Sequence, residues 1–269
     1  MKIVDRGSGV PVVLIPGIQG RWEWMAPAVD ALALRCRVIT FSLADERSSG
    51  GTFDPSRGFD SYVEQVRDAL DQAQIREAAI CGVSYGSLIA SAFVARYPER
   101  ASALVLVSGI PPSWKPDSRA LFYLRAPRLF SPIFCIASVR LYREIAIATP
   151  GVLRGVRAAL RHSFQAASHM FSPTKMASRV RLLESLHIED ALRTVRAPVL
   201  IVTGETELER VVPVHLTREY LDLWPQAQVA TLPRTGHLGL ITKPAEFAQL
   251  VVPFVEHTAG MPASRRRIG

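Results

Sequence analysis

The stretch Cys81-Gly82-Val83-Ser84-Tyr85-Gly86-Ser87 carries the pattern Gly-x-Ser-x-Gly, with an apolar run at 78–80 before it and a helix-like run at 88–97 after it. A serine between the end of a strand and the start of a helix sits in a cramped turn, and the two glycines remove the Cβ atoms that would collide there. Its hydroxyl then stands at a helix N-terminus, whose N–H groups stabilise developing negative charge. The pattern indicates a nucleophile at Ser84, although an ordinary strand-to-helix turn of an α/β domain fits it as well.

Length and composition are those of an ordinary globular protein. The 269 residues, 48% hydrophobic and 21% charged, are enough to bury a substantial α/β core. The three cysteines, Cys36, Cys81 and Cys135, are widely spaced and odd in number, so they predict neither a disulfide framework nor a metal site. The polar residues 1–9 lack the apolar segment of a signal peptide, and the apolar stretch 129–139 is too short to span a bilayer. We therefore expect a cytoplasmic protein.

Positive charge is concentrated in one segment. The chain has a formal net charge of +8, and residues 111–197 hold 14 Lys and Arg against 5 Asp and Glu. This excess is typical of a solvated basic face, and it also suits an acidic substrate or peripheral contact with an anionic membrane surface. Nucleic-acid binding is not indicated, because no recognition module and no aromatic-basic stacking pattern accompanies the arginines.

Short apolar runs alternate with amphipathic stretches of helical length. Most of the runs are continuously apolar, as expected for strands covered on both faces, and the alternation predicts an α/β fold with a mostly parallel sheet flanked by helices. The predicted strands are 10–15, 38–41, 78–81, 104–107, 199–202 and 228–232, and the predicted core helices are 26–34, 59–74, 87–97, 214–223 and 244–257.

The segment 111–194 interrupts this alternation. It opens with Pro111-Pro112, has helical patterns at 140–147 and 155–168, and contains no strong strand. We interpret it as a helical cap inserted between two strands of the sheet. The predicted organisation is a first part of the core at 1–110, the cap at 111–194, a second part of the core at 195–258, and a basic tail at 259–269 that we expect to be disordered.

Catalysis by a serine needs a base for its proton and a third group that orients the base. Of the six histidines, only His237 lies in a loop directly after a predicted strand and before a predicted helix, between glycines that leave its imidazole unencumbered. We predict that His237 is the base. The acid is expected in the loop after the preceding strand, because the chain order is serine, acid, histidine. That loop offers Glu205, Glu207 and Glu209 and no aspartate.

Together these features resemble the α/β-hydrolase superfamily, and the resemblance covers nearly the whole chain. The nucleophile elbow of that family looks like Gly82-Val83-Ser84-Tyr85-Gly86, and its late Gly-His looks like Gly236-His237. Its loop after the first long strand is similar to Pro16-Gly17-Ile18-Gln19-Gly20, in which Pro16 replaces the usual histidine. The segment 111–194 corresponds to the family's cap.

The acid loop departs from the family pattern Gly-x-x-Asp-x-Val-Val-Pro. It is two residues longer and has glutamates instead of the aspartate. Counting back from Pro213 places Glu209 at the position of the aspartate, whereas counting forward from Gly204 gives Glu207. We favour Glu209, with Glu207 as the main alternative and Glu205 as the third choice.

The resemblance also implies the groups that surround the reacting carbonyl. The backbone N–H groups of Ile18 and Tyr85 would form the oxyanion hole. Gln19, Trp22 and Trp114 are candidate residues of the substrate pocket, although packing under the helix at 26–34 explains Trp22 equally well.

The expected activity is that of a serine hydrolase that cleaves a carboxylic ester, or a related acyl bond, of a small and largely apolar substrate through an acyl-enzyme. Such a mechanism needs no metal and no organic cofactor. Carbon–carbon bond hydrolysis, a lyase reaction and cofactor-free perhydrolysis remain as alternatives on the same triad, because the fold does not choose among them. A non-catalytic binding protein that docks its basic cap on acidic lipids is the third hypothesis.

Overall fold

The structure is a computed structural model of the chain. It describes residues 1–129, 140–149 and 172–261, together with Gly151, Val156 and Leu160. The predicted cap helix at 155–168, apart from Val156 and Leu160, and most of the predicted basic tail therefore lie outside the described residues, as does Cys135.

A seven-stranded sheet lies at the centre of the described part of the chain, in the order β1-β3-β2-β4-β5-β6-β7. Strands β2 to β7 run parallel to their neighbours, and β1 pairs antiparallel with β3 at one edge. Their bounds are β1 Val4–Arg6, β2 Val10–Ile15, β3 Cys36–Thr40, β4 Ala78–Val83, β5 Ala101–Val107, β6 Val199–Thr203 and β7 Gln228–Thr231.

Helices cover both faces of the sheet and form the described part of the insertion. Their bounds are α1 Ala26–Leu32, α2 Asp60–Gln72, α3 Tyr85–Arg96, α4 Ser118–Arg125, α5 Arg140–Ala148, α6 Pro173–Leu182, α7 Glu189–Leu192, α8 Val214–Arg218, α9 Tyr220–Leu223, α10 Gly239–Thr242 and α11 Pro244–Gly260. Short 3-10 turns lie at Trp22–Met25, Arg47–Ser49 and Pro98–Arg100.

The continuous apolar runs are explained by burial on both faces. Alternate side chains of a strand point to opposite faces of the sheet. In β2, Val12 and Leu14 join a core cluster with residues of α1 and α11, whereas Val13 and Ile15 join a second cluster with residues of α2 and α3. A strand buried on both faces cannot alternate between apolar and polar residues, so the sheet of this chain shows no period of two in its sequence.

The predicted fold class is confirmed, with differences in detail. The six predicted strands are present with small shifts at their ends, but the edge strand β1 was not predicted, because its sequence Val4-Asp5-Arg6 is short and largely polar. The predicted helix at 214–223 is wrong as a single helix and forms α8 and α9. The N–H of Glu219 bonds the carbonyl of Leu216, three residues earlier, so a 3-10 turn separates them.

The described residues of 111–194 contain helices and no strand. Helices α4 and α6 begin at side-chain caps, in which Asp117 accepts from the N–H of Ala120 and Ser172 accepts from that of Lys175. Helix α7 packs against α3, and Leu192 joins the core cluster on that side of the sheet. Within the described segments, none of the helices combines the length and the apolar character needed to cross a bilayer.

Candidate active site

Ser84 occupies the turn between β4 and α3, at the carboxyl end of the sheet. Its backbone has φ 53° and ψ −116°, a strained conformation that a residue with a Cβ seldom adopts. Its N–H donates to the carbonyl of Val107 at the end of the neighbouring strand β5, at 2.8 Å. The side chain is 5% exposed. The turn therefore holds one hydroxyl in a fixed and shielded place.

Close backbone packing explains both glycines of the pattern. A Cβ on Gly82 would overlap the carbonyl oxygen of Gly86, and a Cβ on Gly86 would lie 2.6 Å from the carbonyl oxygens of Ile15 and Pro16. The turn thus rests directly on the end of β2 and on the residues that follow it. We call residues 16–20 the oxyanion loop, after their predicted role.

His237 and Glu209 meet at the same end of the sheet. His237 lies in the loop 232–238 after β7, here called the histidine loop, and Glu209 lies in the acid loop, 204–213, after β6. The imidazole Nδ1 is 3.2 Å from Oε1 and 3.2 Å from Oε2 of Glu209. The two loops are in backbone contact, because a Cβ on Gly236 would overlap the carbonyl oxygen of Leu208. Glycine at position 236 allows the two loops to come close enough for the Glu209 carboxylate to contact the imidazole of His237.

The carboxylate of Glu209 is held by further donors. Its Oε1 accepts the N–H of Val211 at 2.8 Å and that of Val212 at 3.0 Å. Burial acts to raise the pKa of Glu209, but the imidazole of His237 and these two N–H groups outweigh it and bring the pKa below its usual value. An ionised Glu209 keeps a proton on Nδ1 of His237, so Nε2 is the ring nitrogen that can accept a proton.

The other two glutamates of the acid loop lie in different surroundings. Glu207 is exposed. Glu205 is half-buried, and its Oε1 accepts the N–H of Arg234 at 2.8 Å, so it braces the start of the histidine loop. The extra length of the acid loop is taken up in a tight turn, in which the N–H of Glu209 bonds the carbonyl of Glu205.

Two backbone N–H groups were predicted for the oxyanion hole. Tyr85 is the first residue of α3, so its N–H has no acceptor within the helix. Its side chain points into the core and packs edge-on against Phe59 and Tyr62. Ile18 lies in the turn that is closed by the N–H of Gly20 on the carbonyl of Gly17, at 2.9 Å. The Cβ of Ser84 is 3.4 Å from where a Cβ on Gly17 would stand, so the turn borders the serine.

The three predicted pocket residues lie in different surroundings. Gln19 is half-buried, and its Oε1 would be 3.1 Å from a Cβ on Gly17, beside the serine. Trp114 is half-buried and packs on the same core cluster as Ile18. Trp22 packs on the opposite cluster, and the guanidinium of Arg6 lies 5.4 Å from its ring centroid. The contacts of Trp22 are those of a packing residue.

Sequence reasoning missed Arg179, a fully buried side chain of α6. Its guanidinium donates to the carbonyl of Ile18 in the oxyanion loop at 2.6 Å, and to the carboxylates of Asp45 and Glu46 at 2.6 Å each. Burial acts to lower the pKa of Arg179, but these carboxylates more than offset it and keep the side chain charged. No local pattern marks this residue, because many arginines of the insertion stand in similar helical sequences.

The buried thiols are not nucleophiles at neutral pH. Burial raises the pKa of Cys36 to about 11 and raises that of Cys81 still further, so both remain protonated. Over the described ranges, no group of three or more His, Cys, Asp or Glu side chains is arranged to hold a metal ion.

Comparison with known proteins gives matches over nearly the whole chain. The model of the Alpha/beta hydrolase family matches residues 12–250. A 2-hydroxymuconate semialdehyde hydrolase of Pseudomonas sp. (strain CF600) is 27% identical over 259 residues, which cover 93% of this chain and 88% of that protein. An esterase from Exiguobacterium antarcticum has a TM-score of 0.76 at 16% identity, with 94% of each chain covered. A bromoperoxidase from Bacillus anthracis has a TM-score of 0.71 at 21% identity, also with 94% of each chain covered.

These matches agree on the fold. The two solved structures are similar in fold, and their differing names illustrate that one fold serves several reactions. The family match and the hydrolase-named relative support an enzyme with hydrolase activity.

Proposed function

The chain belongs to the alpha/beta hydrolase family, and we propose that it is a serine hydrolase that cleaves a carboxylic ester, or a related acyl bond, of a small and largely apolar substrate. The proposal rests on the buried contact between His237 and Glu209, because an imidazole that is oriented by a carboxylate is the base that a serine nucleophile needs. Ser84, in its strained turn at the same sheet end, is the proposed nucleophile.

Acylation begins when the Oγ of Ser84 attacks the substrate carbonyl and its proton passes to Nε2 of His237. The resulting imidazolium is stabilised by Glu209, which stays ionised and takes no proton itself. The backbone N–H groups of Ile18 and Tyr85 bind the oxyanion of the tetrahedral intermediate, a kind of contact worth about 10²–10³ in kcat per donor. The imidazolium then gives its proton to the leaving alcohol, and an acyl-enzyme remains.

Deacylation repeats these steps with water. His237 takes a proton from the water as it attacks the acyl carbon, and then returns that proton to the Oγ of Ser84, which releases the carboxylic acid. Ser84 and His237 are 5% and 8% exposed, so the charges that develop in both steps lie where bulk water screens them little.

The preference for an apolar substrate is supported by half-buried apolar side chains that pack on the core cluster to which the Ile18 side chain also belongs. They include Phe53 and Trp114. A pocket lined by such side chains would favour acyl or aromatic groups over charged ones.

A fluorophosphonate probe tests the proposal directly, since it labels an activated serine whatever the natural substrate is. We expect labelling that maps to Ser84 and is lost in the Ser84→Ala and His237→Ala variants. The same variants should lose hydrolysis of p-nitrophenyl esters while keeping the circular dichroism spectrum of the wild type. Labelling at a different residue, or full esterase activity in the Ser84→Ala variant, contradicts the proposed nucleophile.

A panel of substrates then separates ester hydrolysis from the other reactions. With p-nitrophenyl esters whose acyl chains have two to twelve carbons, we expect turnover to rise with chain length until the chain exceeds the length of the pocket. An enzyme that labels at Ser84 but turns over none of these esters has the proposed triad and a different reaction, such as carbon–carbon bond hydrolysis.

A further inference from the structure

A buried carboxyl of the insertion contacts the histidine loop. Glu144, on α5, is 3% exposed, and its Oε1 accepts the N–H of Leu238, the residue after His237, at 2.8 Å. The carbonyl of Ile147, on the same helix, accepts from Nη2 of Arg234 at 2.9 Å, and α5 packs against α10. One helix of the insertion thus contacts residues on both sides of His237.

The contact at Leu238 acts on the backbone of the proposed base. A buried N–H needs an acceptor, and Leu238 itself is buried. The hydrogen bond that the N–H of Leu238 donates to Glu144 fixes the peptide group between His237 and Leu238, and therefore the direction in which the His237 side chain leaves the backbone. Glu209 orients the ring from its Nδ1 side, whereas Glu144 acts on the chain that carries the ring.

A carboxyl group is an unusual choice for this place, because an uncharged side chain could accept the same bond. The Oε2 of Glu144 has no hydrogen-bond partner among the described residues. Burial raises the pKa of Glu144 to about 7, against the opposing effects of the nearby N–H groups and of His237, and Glu209 raises it further. The charge of Glu144 thus changes in the pH range in which a histidine base titrates.

Among the residues that the structure describes, few charged groups lie near Glu144. The histidine loop contributes His237 and Arg234, and the acid loop contributes Glu209. Helix α10 has no ionisable residue, and Arg143 on the same helix as Glu144 is exposed. An ionised Glu144 therefore acts mainly on His237, whose protonated form it stabilises, and on Glu209, which it repels.

We propose that Glu144 is a positioning residue through which the insertion sets the alignment of His237. The inference rests on the proposed role of His237 as the base. Docking of α5 and alignment of the base are then one event, so the enzyme is fully active only with α5 in place. Loss of the contact lowers kcat more than it raises KM, because it misplaces a group that acts in the transition state.

The test compares Glu144→Ala and Glu144→Gln with Glu184→Ala, a change at an exposed carboxylate of the insertion away from the histidine loop. For each variant, kcat and KM for a p-nitrophenyl ester and the rate of fluorophosphonate labelling are measured from about pH 5 to 9. We expect kcat and labelling to fall about tenfold or more in Glu144→Ala, with little change in KM. Glu184→Ala should match the wild type.

The glutamine variant separates positioning from charge. Its side-chain oxygen still accepts the N–H of Leu238, so plateau activity should recover most of the loss in Glu144→Ala. Without the carboxylate, protonated His237 is less stabilised, and the acid limb of kcat/KM should move to lower pH.

Wild-type kcat in Glu144→Ala overturns the inference. So does a plateau kcat in Glu144→Gln that falls tenfold or more although the hydrogen-bond acceptor is kept, and this result decides alone where the alanine variant does not fold. Both results leave the proposed hydrolase intact, whereas a wild type that fails to label at Ser84 refutes the proposed function itself.

Discussion

Replacement of Arg179 by alanine should cost both stability and activity. The guanidinium is fully buried between the carboxylates of Asp45 and Glu46 and the carbonyl of Ile18. Its removal leaves two largely buried carboxylates, and among the described residues the cation still in contact with them is Lys175, 3.1 Å from Glu46. Breaking a buried ion pair in this way costs about 3–5 kcal/mol. This cost is a large part of the free energy of unfolding of a typical folded domain, which is about 5–15 kcal/mol.

Urea unfolding followed by circular dichroism measures the change in stability, and a thermal melt should show a midpoint lower by roughly 6–15 °C. Activity is measured on the same samples at a temperature at which the variant is still folded. Because the oxyanion loop loses the donor to its Ile18 carbonyl, we expect kcat to fall about tenfold or more without a matching rise in KM.

A triple variant separates the electrostatic cost from the loss of the loop contact. In Arg179→Met with Asp45→Asn and Glu46→Gln, no uncompensated carboxylate remains at this place. Lys175 loses its partner Glu46 but is 27% exposed, so water solvates it and most of the lost stability should return. Activity should stay low, because methionine cannot donate to the carbonyl of Ile18. The reasoning is refuted where Arg179→Ala unfolds within about 1 kcal/mol of the wild type, or where the triple variant is no more stable than the single one.

Three further outcomes are expected. Glu209→Gln should lower kcat/KM about 10⁴-fold, because the imidazole of His237 is then no longer held in the required tautomer. Glu207→Gln should leave kcat/KM unchanged. Equal losses in the two variants would show that Glu209 is not the acid of the triad. Glu144 has a folded pKa of about 7, above its unfolded value of 4.5, so the stability that it gives relative to Glu144→Gln is full below about pH 4.5 and is lost as pH rises through 7. Across this pH range, the difference in unfolding free energy between the wild type and Glu144→Gln should change by about 3 kcal/mol. A difference that stays constant with pH contradicts the raised pKa of Glu144. Gly86→Ala should cost about 2 kcal/mol or more because its Cβ meets backbone, whereas Gly51→Ala, whose nearest neighbour would be 3.5 Å away, should cost little in the same urea titration.

The fold was predictable because its signals are local. The strand β4 has six consecutive buried residues, and the sequence of such a strand is apolar throughout. The elbow at Ser84 was predictable as well, since glycine is the residue type that fits at positions 82 and 86. In contrast, β1 is a polar edge strand that is defined by its pairing with β3. Three residues are too few to show such a long-range pairing in their sequence.

The candidate site was predictable only in part. Counting along the acid loop left Glu207 and Glu209 open, because an insertion of two residues can be placed before or after either of them. The structure brings Glu209 to His237 through the turn at Glu205 and the two N–H groups at Val211 and Val212, none of which a residue count registers. The position of the acid depends on which carboxylate the folded loop buries and provides with hydrogen-bond donors.

The residues that sequence reasoning missed share one property: both belong to the insertion and act on loops of the core. Arg179 contacts the oxyanion loop at Ile18, and Glu144 contacts the histidine loop at Leu238. Ser84 is fixed by contacts within the core, whereas the oxyanion loop and the histidine loop are each contacted by a buried ionisable side chain of the insertion. A charge placed there is costly unless it is paired, so these contacts form only when the insertion is docked in one way. The basic segment is thus more than a solvated face, since Arg179, among its described residues, is fully buried and contacts the oxyanion loop.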